Sequence, residues 1–119
     1  MANSSKQFGS QAESIAADYL KKHGYRILCR NWRCRLGEID IIAEERDTLV
    51  FVEVKSRKSG NPKWAVTPKK QKKISMIALW YLKDVGRLNE RARFDVVAVY
   101  GQKPFEKIEL IQNAFDFTY

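Results

Sequence analysis

Apolar residues recur along this chain in two rhythms. Ala12, Ile15, Ala16, Tyr19 and Leu20 fall three and four apart, the stripe of an amphipathic helix. Ser10 is placed as its N-cap, Glu13 follows three residues on as in a capping box, and Gly24 is placed to end it. Residues 1–8 lack the stripe and read as a flexible tail. The rhythm then shortens. Tyr25 to Trp32, Gly37 to Ala43, Leu49 to Lys55 and Ala92 to Tyr100 are rich in Val, Ile and aromatic residues, as strands are. A second helical stripe, Ile74, Ile77, Ala78, Tyr81 and Leu82, opens on Thr67-Pro68 and closes at Val85-Gly86. Lys107 to Ile111 reads as a short edge strand, and Ala114 to Phe117 as a final turn packed on the core. A strand–helix–strand passage of this length suits a parallel, right-handed crossover. The pattern therefore predicts one α/β domain over residues 1–119. Its mixed central sheet is a three-strand antiparallel meander plus a parallel strand after a crossover helix, flanked by helices.

The hairpin from Gly37 to Lys55 holds the chemistry. Its arms are separated by the polar break Glu44-Glu45-Arg46-Asp47-Thr48. Pairing Ala43 with Val50 sets Asp40 opposite Glu53 and Glu38 opposite Lys55. Side chains alternate across a strand, so all four are expected on one face. Two carboxylates about 4 Å apart at an effective dielectric near 20 repel by about 4 kcal/mol. Lys55 supplies part of the compensating charge, and a divalent cation would supply the rest. Mg²⁺ takes one or two carboxylates and keeps several waters, so Asp40 with Glu53 is a suitable pair.

Charge sharpens this picture. The formal net charge is +8, a balance that favours polyanions. Val54 to Lys83 contains no Asp or Glu and carries Lys55, Arg57, Lys58, Lys63, Lys69, Lys70, Lys72, Lys73 and Lys83. Residues 84–119 hold six acidic and five basic side chains, so the binding face is expected elsewhere. Lys69, Lys70, Lys72 and Lys73 crowd the start of the second helix, where the helix dipole opposes cations and favours phosphate. Arg30, Arg33 and Arg35 read first as a solvated edge and second as phosphate contacts. Trp32 and Trp64 read first as packing residues and second as platforms for a base. Cys29 and Cys34, with the lone His23, do not make a tetrahedral metal site and read as free thiols. No run reaches the length of a membrane span. The first residues lack the apolar core of a signal peptide, so a cytoplasmic protein is expected.

Asp40 followed by Glu53-Val54-Lys55 has the form D…(D/E)-x-K. It resembles the core motif of the PD-(D/E)XK nucleases, whose fold is restriction-endonuclease-like. Ile39 precedes Asp40, so the proline of that motif has no counterpart. The likeness extends to Holliday junction resolvases of that fold, which also use an acidic residue on the first helix, the place of Glu13. Taken whole, the chain resembles the YraN-type family of bacterial proteins. The matching pieces are Gly9-x-x-Ala12-Glu13-x-x-Ala16-x-x-Tyr19-Leu20, Asn31-Trp32-Arg33, Gly37-Glu38-Ile39-Asp40, Val52-Glu53-Val54-Lys55 and Arg93-Phe94-Asp95-Val96-Val97.

The resemblance implies a metal-dependent endonuclease acting on nucleic acid, with structured DNA the expected substrate. Asp40, Glu53 and the backbone carbonyl of Val54 would hold Mg²⁺ or Mn²⁺. Lys55 would orient the attacking water or stabilise charge on the phosphorane oxygens, with Glu38 holding Lys55. Glu13 would be an outer metal ligand; its alternative is the helix cap. Gln71 would point toward the site, with Arg57, Lys58, Lys63 and the helix lysines on the phosphate backbone. Resolvase-like enzymes work as homodimers, although no dimer face stands out in the sequence. The rival reading keeps the fold and drops the chemistry, as a nucleic-acid-binding or partner-docking module; RNA is an alternative substrate. A plain cross-strand salt bridge would account for Glu38 and Lys55 but not for the adjacent Asp40–Glu53 pair. Asp95, near the start of its strand, reads as half of a structural ion pair with Arg93.

Overall fold

The computed structural model describes residues 4–57, 66–101 and 106–118, with side chains from Gln11 onward. The elements are α1 (Ser4–Lys22), β1 (Tyr25–Cys34), β2 (Gly37–Glu45), β3 (Thr48–Arg57), α2 (Pro68–Asp84), β4 (Ala92–Tyr100) and β5 (Lys107–Phe115). The strands form one sheet in the order β1-β2-β3-β4-β5. β3 and β4 run parallel, and the other neighbours antiparallel. This is the mixed α/β sheet that the pattern predicts. The hairpin register also holds, with Ala43 on Val50 and Ile41 on Val52.

Each face of the sheet receives one helix. Ala12, Ala16, Ala17 and Leu20 of α1 pack on Ile41, Ala43, Val50, Val52, Val97 and Val99. Four small or slim side chains let that helix lie close to the β-branched floor. On the other face, Ile74, Ile77, Ala78, Tyr81 and Leu82 of α2 cover Ile39, Ile42, Leu49, Phe51, Phe94 and Val96. Trp32 belongs to this second core, edge-on to Tyr81 at 5.3 Å between ring centroids. Thr67 caps α2 by accepting from the Lys70 N–H, Pro68 follows it, and Gly86 leaves the helix at φ 71°.

Several elements run past their expected ends, α1 and β5 furthest. α1 begins at Ser4, so residues 4–8 are helical where the pattern predicts a tail. Glu13 then lies well inside the helix, too far from the first turn to cap it. β5 runs on to Phe115, past the polar pair Gln112-Asn113. Asn113 absorbs the irregularity at φ 51°, its N–H donates to Asp95, Phe115 stacks on Phe94, and Phe117 packs against Phe94 at a tilt.

Asp95 is fully buried and anchors one end of the sheet. Its carboxylate accepts from Tyr25 Oη at 2.7 Å, Arg93 Nε at 3.0 Å and the Asn113 N–H at 2.9 Å. Arg93 also reaches Glu45 at 3.0 Å, and Gln112 donates to Tyr25 at 2.8 Å. The ion pair expected for Asp95 is therefore present, within a network that ties β1, β2, β4 and β5 together. Every buried charge in it has a partner, as burial requires.

Candidate metal and nucleic-acid site

The opposite end of the sheet comes apart. β2 and β3 pair from Glu45 and Thr48 as far as Ile41 and Val52, where the ladder stops. Beyond that point β3 stays with β4 and β2 stays with β1. β2 also changes phase here. Ile39 and Ile42 both pack on the α2 face, while Ile41 packs on the α1 face. Strict alternation would put Ile39 with Ile41. β1 shifts in step: Arg30 reaches Ser14 and Glu13 of α1, whereas Trp32 packs under α2. Between them Asn31 takes φ 55°, in the left-handed region. Asn31 and Asp40 thus mark a matched kink that turns Asp40 into the seam.

Asp40 is half-buried there. Its Oδ2 accepts from the Val54 N–H at 2.8 Å, where a strand neighbour would otherwise stand. One carboxylate oxygen each from Glu13, Glu38 and Asp40 lies within 4.8 Å of the others, close enough to hold one ion. Asp40 also meets Glu53, so four acidic residues from α1, β2 and β3 converge. Glu53 Oε2 is buried and has no hydrogen-bond partner among the described residues. The Lys70 ammonium stands 3.8 Å away, beyond hydrogen-bond reach.

Burial, the neighbouring Glu53 carboxylate and the Glu38 charge push the Asp40 carboxyl up from 3.8 to about 8, against the Val54 N–H, which favours the anion. Glu13 is also raised, first by burial and then by Asp40, with Asn31 and Arg30 opposing. Without a cation the cluster therefore retains a proton at neutral pH. An all-oxygen carboxylate set that is short of positive charge suits a hard divalent ion.

Several expected partners are rearranged. Glu38 accepts from Arg33 Nε at 2.6 Å, and no ion pair joins it to Lys55 among the described residues. The kink explains the change, because it carries Glu38 to Glu13 and away from the face that strict alternation assigned. Lys55 is half-buried on β3 beside Ala98. Gln71 donates to the Val66 carbonyl at 2.7 Å, so its amide braces the entry to α2. Lys69, Lys70, Lys72 and Lys73 are exposed, and three of them line a shallow groove of about 210 Å³ with Leu36 and Met76. The Lys73 stem lies over Gly37, whose φ of 144° and 3.1 Å clearance disfavour a side chain. Arg57 is exposed at the end of β3, while Lys58, Lys63 and Trp64 lie outside the described residues. Cys29 and Cys34 are free thiols.

Asn31 is the site residue that the sequence pattern passes over. Its amide faces Glu13 and favours the charged carboxylate. Asn is among the few side chains that tolerate left-handed backbone, and that is the available signal. Asn31→Gly should keep the kink and most of the stability. Asn31→Val should melt at clearly lower temperature, since a β-branched residue in left-handed backbone costs at least about 1–2 kcal/mol. Equal thermal melts for the two variants would show that the kink is not fixed by residue 31.

Fold and site together define a mixed α/β domain with an oxygen-rich carboxylate cluster in a split sheet and a lysine-rich helix start beside it. The profile of Uncharacterised protein family UPF0102 matches residues 12–99, and the chain belongs to that family. A UPF0102 protein of Desulfosudis oleivorans is 53% identical over 119 residues, covering 98% of this chain and 95% of the relative. A second, from Syntrophus aciditrophicus, is 54% identical over 114 residues, covering 93% and 90%. A third, from Geobacter metallireducens, is 48% identical over 122 residues and covers both chains fully. Among solved structures, Pyrococcus furiosus SfsA in complex with Ca²⁺ aligns with a TM-score of 0.42 and 16% identity. That alignment covers 94% of this chain and 65% of the SfsA chain, a distant likeness. No helix among the described residues is long and apolar enough to cross a membrane.

Proposed function

We propose that this chain is a cytoplasmic, metal-dependent endonuclease that cleaves phosphodiester bonds in nucleic acid, with structured DNA as its substrate and Mg²⁺ or Mn²⁺ as its ion. The observation that carries the reading is the convergence on Asp40 of Glu13, Glu38 and Glu53, with a buried Glu53 oxygen left without a hydrogen-bond donor among the described residues. A purely structural cluster would be expected to close each buried lone pair with a donor, as the Asp95 network does.

Asp40 and Glu53 would hold the ion, with Glu13 and Glu38 completing the acidic wall. The Val54 carbonyl leaves the strand on the same side as its N–H, toward Asp40, and would serve as a further oxygen donor. When bound, a divalent cation there supplies Lewis-acid polarisation of a phosphoryl oxygen. Lys55 would orient the attacking water or stabilise charge that develops on the phosphorane oxygens. Lys69, Lys70, Lys72 and Lys73, together with Arg57, Lys58 and Lys63, would seat the phosphate backbone. Lys70 stands between the two groups, on α2 and within 3.8 Å of Glu53. Two copies acting together, as in the resolvases that the chain resembles, belong to the same proposal.

The purified chain with Mg²⁺ or Mn²⁺ should cut at least one of linear duplex, single-stranded, flap and four-way-junction DNA. Tight binding of all of them without cleavage by either ion would leave the binding-module reading in its place. Changing Lys69, Lys70, Lys72 and Lys73 to Ala should weaken duplex binding similarly for every sequence. It should also flatten the log–log salt dependence by about 0.9 for each lost phosphate contact. Unchanged affinity and slope would make the basic helix start a solvated face.

A further inference from the structure

Trp32 and Trp80 sit on opposite sides of α2. Trp32 packs under the helix, edge-on to Tyr81. Trp80 is 42% exposed on the outer side, and its indole has no ring contact or hydrogen bond among the described residues. It lines an open groove of about 820 Å³ with Met76, Leu79, Lys83, Asp84 and Leu88. Met76 also lines the shallow groove of Leu36, Lys69, Lys72 and Lys73. The two grooves therefore adjoin along the outer side of α2, where Lys69, Lys72, Met76, Trp80 and Lys83 follow at three- and four-residue steps. Along this surface the chemistry changes from ammonium groups to thioether, indole and leucine. Exposed apolar surface that is gathered in one place marks a contact site more often than scattered residues do.

A ligand that fits both halves carries negative charge and also shows a flat apolar face. Duplex nucleic acid offers the lysines its phosphates but keeps its base faces stacked inside. An unpaired strand offers both, and proteins that hold such strands join a positive groove to an aromatic ring. The charge along the chain favours this ligand. No Asp or Glu stands between Glu53 and Asp84, so phosphate meets no opposing side chain of this segment until the far end of the helix. The carboxylate cluster lies at the near end, where Lys70 stands 3.8 Å from Glu53. Trp80 follows Lys70 by about 15 Å along the helix axis. A strand that leaves the carboxylates beside the lysines reaches Trp80 within a few nucleotides.

We propose that Trp80, framed by Met76 and Leu88, is the stacking platform for an unpaired base, and that the nucleic acid this chain takes carries a single-stranded stretch laid along α2. The inference rests on the nucleic-acid part of the proposed function and holds whether or not the chain cuts.

Fluorescence anisotropy with labelled oligonucleotides in EDTA tests it, with thermal melts to confirm folding. Trp80→Ala should melt as wild type does, because the indole lies outside both cores. It should bind a single strand roughly five- to a hundredfold more weakly, the range for one lost stacked base. Its affinity for duplex should not change. Its salt slope on the single strand should not change either, since stacking releases no counterions; the lysine changes flatten that slope. Trp80→Phe should keep most of the single-strand affinity and Trp80→Leu should lose it, because only the ring has a π-face. An abasic strand of equal length should bind wild type and Trp80→Ala alike. Trp80→Ala that holds the single strand as tightly as wild type, or Trp80→Leu that matches Trp80→Phe, would overturn the platform. With strand and duplex still bound by wild type, either result leaves the nucleic-acid reading standing and gives the apolar groove to a protein partner. A wild type that binds neither strand nor duplex would end both.

Discussion

In the proposed reaction Lys55→Met should slow cleavage about a hundredfold or more, while leaving the protein folded and able to bind nucleic acid. Methionine keeps most of the length and the apolar stem of lysine and removes only the charge. The fall in turnover expected for losing one charge-stabilising group is roughly a hundred- to a thousandfold. The structure makes the folded-state part of this result specific. Lys55 has no ion pair among the described residues, and Glu38, its expected partner, is held by Arg33 at 2.6 Å. No carboxylate is therefore orphaned by the change, and the melting temperature should move by a few degrees at most. A Lys55→Met protein that cuts as fast as wild type would remove Lys55 from the chemistry. One that melts far below wild type and is rescued by Glu38→Gln would return it to the role of a structural partner.

The second large effect couples pH to the ion. In the metal-free protein the Asp40 carboxyl is raised from 3.8 to about 8, chiefly by burial and by Glu53. A group whose folded pKa lies above its unfolded value contributes stability that is fully present below the unfolded value. That stability is lost as pH rises through the folded value. The metal-free protein should therefore lose stability steadily between about pH 4 and pH 8. A tenfold change in proton affinity is worth about 1.4 kcal/mol, so the loss across this window amounts to several kcal/mol. In the proposed site a divalent cation would replace the proton, so Mg²⁺ should raise the melting temperature little at pH 5 and most above pH 8. Asp40→Asn removes the charge and keeps an oxygen for the Val54 N–H. It should melt higher than wild type at pH 8 without metal, show a flatter pH profile, and lose the Mg²⁺-dependent rise. A metal-free Asp40→Asn protein that melts lower than wild type at pH 8 would mean that the anion is stabilised by the fold, contrary to this account.

The sequence makes the frame of this site legible and hides its hinge. The hairpin register, which brings Asp40 near Glu53, follows from two β-rich arms and a short polar turn, although its ladder stops one pair short of them at Ile41 and Val52. The α2 boundaries follow from Thr67-Pro68 and Gly86, whose backbone preferences are local. The ion pair of Asp95 follows from its place near the start of β4. Strict alternation fails where the chain breaks it, at Asn31 and Asp40. A left-handed Asn in a strand looks like any polar residue in a periodic pattern, and Ile41-Ile42 looks buried in either phase. The failure moves Glu38 from Lys55 to the neighbourhood of Glu13. Glu13 itself is only half legible: a capping-box spacing from Ser10 offers a local explanation, and only the longer helix removes it. Gln71 shows the limit of analogy, since its amide is engaged by the Val66 carbonyl at 2.7 Å. The outer stripe of α2 escapes the pattern because Lys72, Lys73 and Lys83 interleave with Met76, Leu79 and Trp80 and mask it as an ordinary solvent face.

The Asp95 network has a consequence for how such a domain could diversify. It draws Tyr25, Glu45, Arg93, Gln112 and Asn113 from four strands into one buried knot at the closed end of the sheet. The carboxylates stand at the other end, where β2 and β3 have already parted. Substitutions among them leave that knot untouched. Descendants could then change the carboxylate set at the open end without forfeiting a foldable chain, so that site and scaffold vary independently in a family built this way.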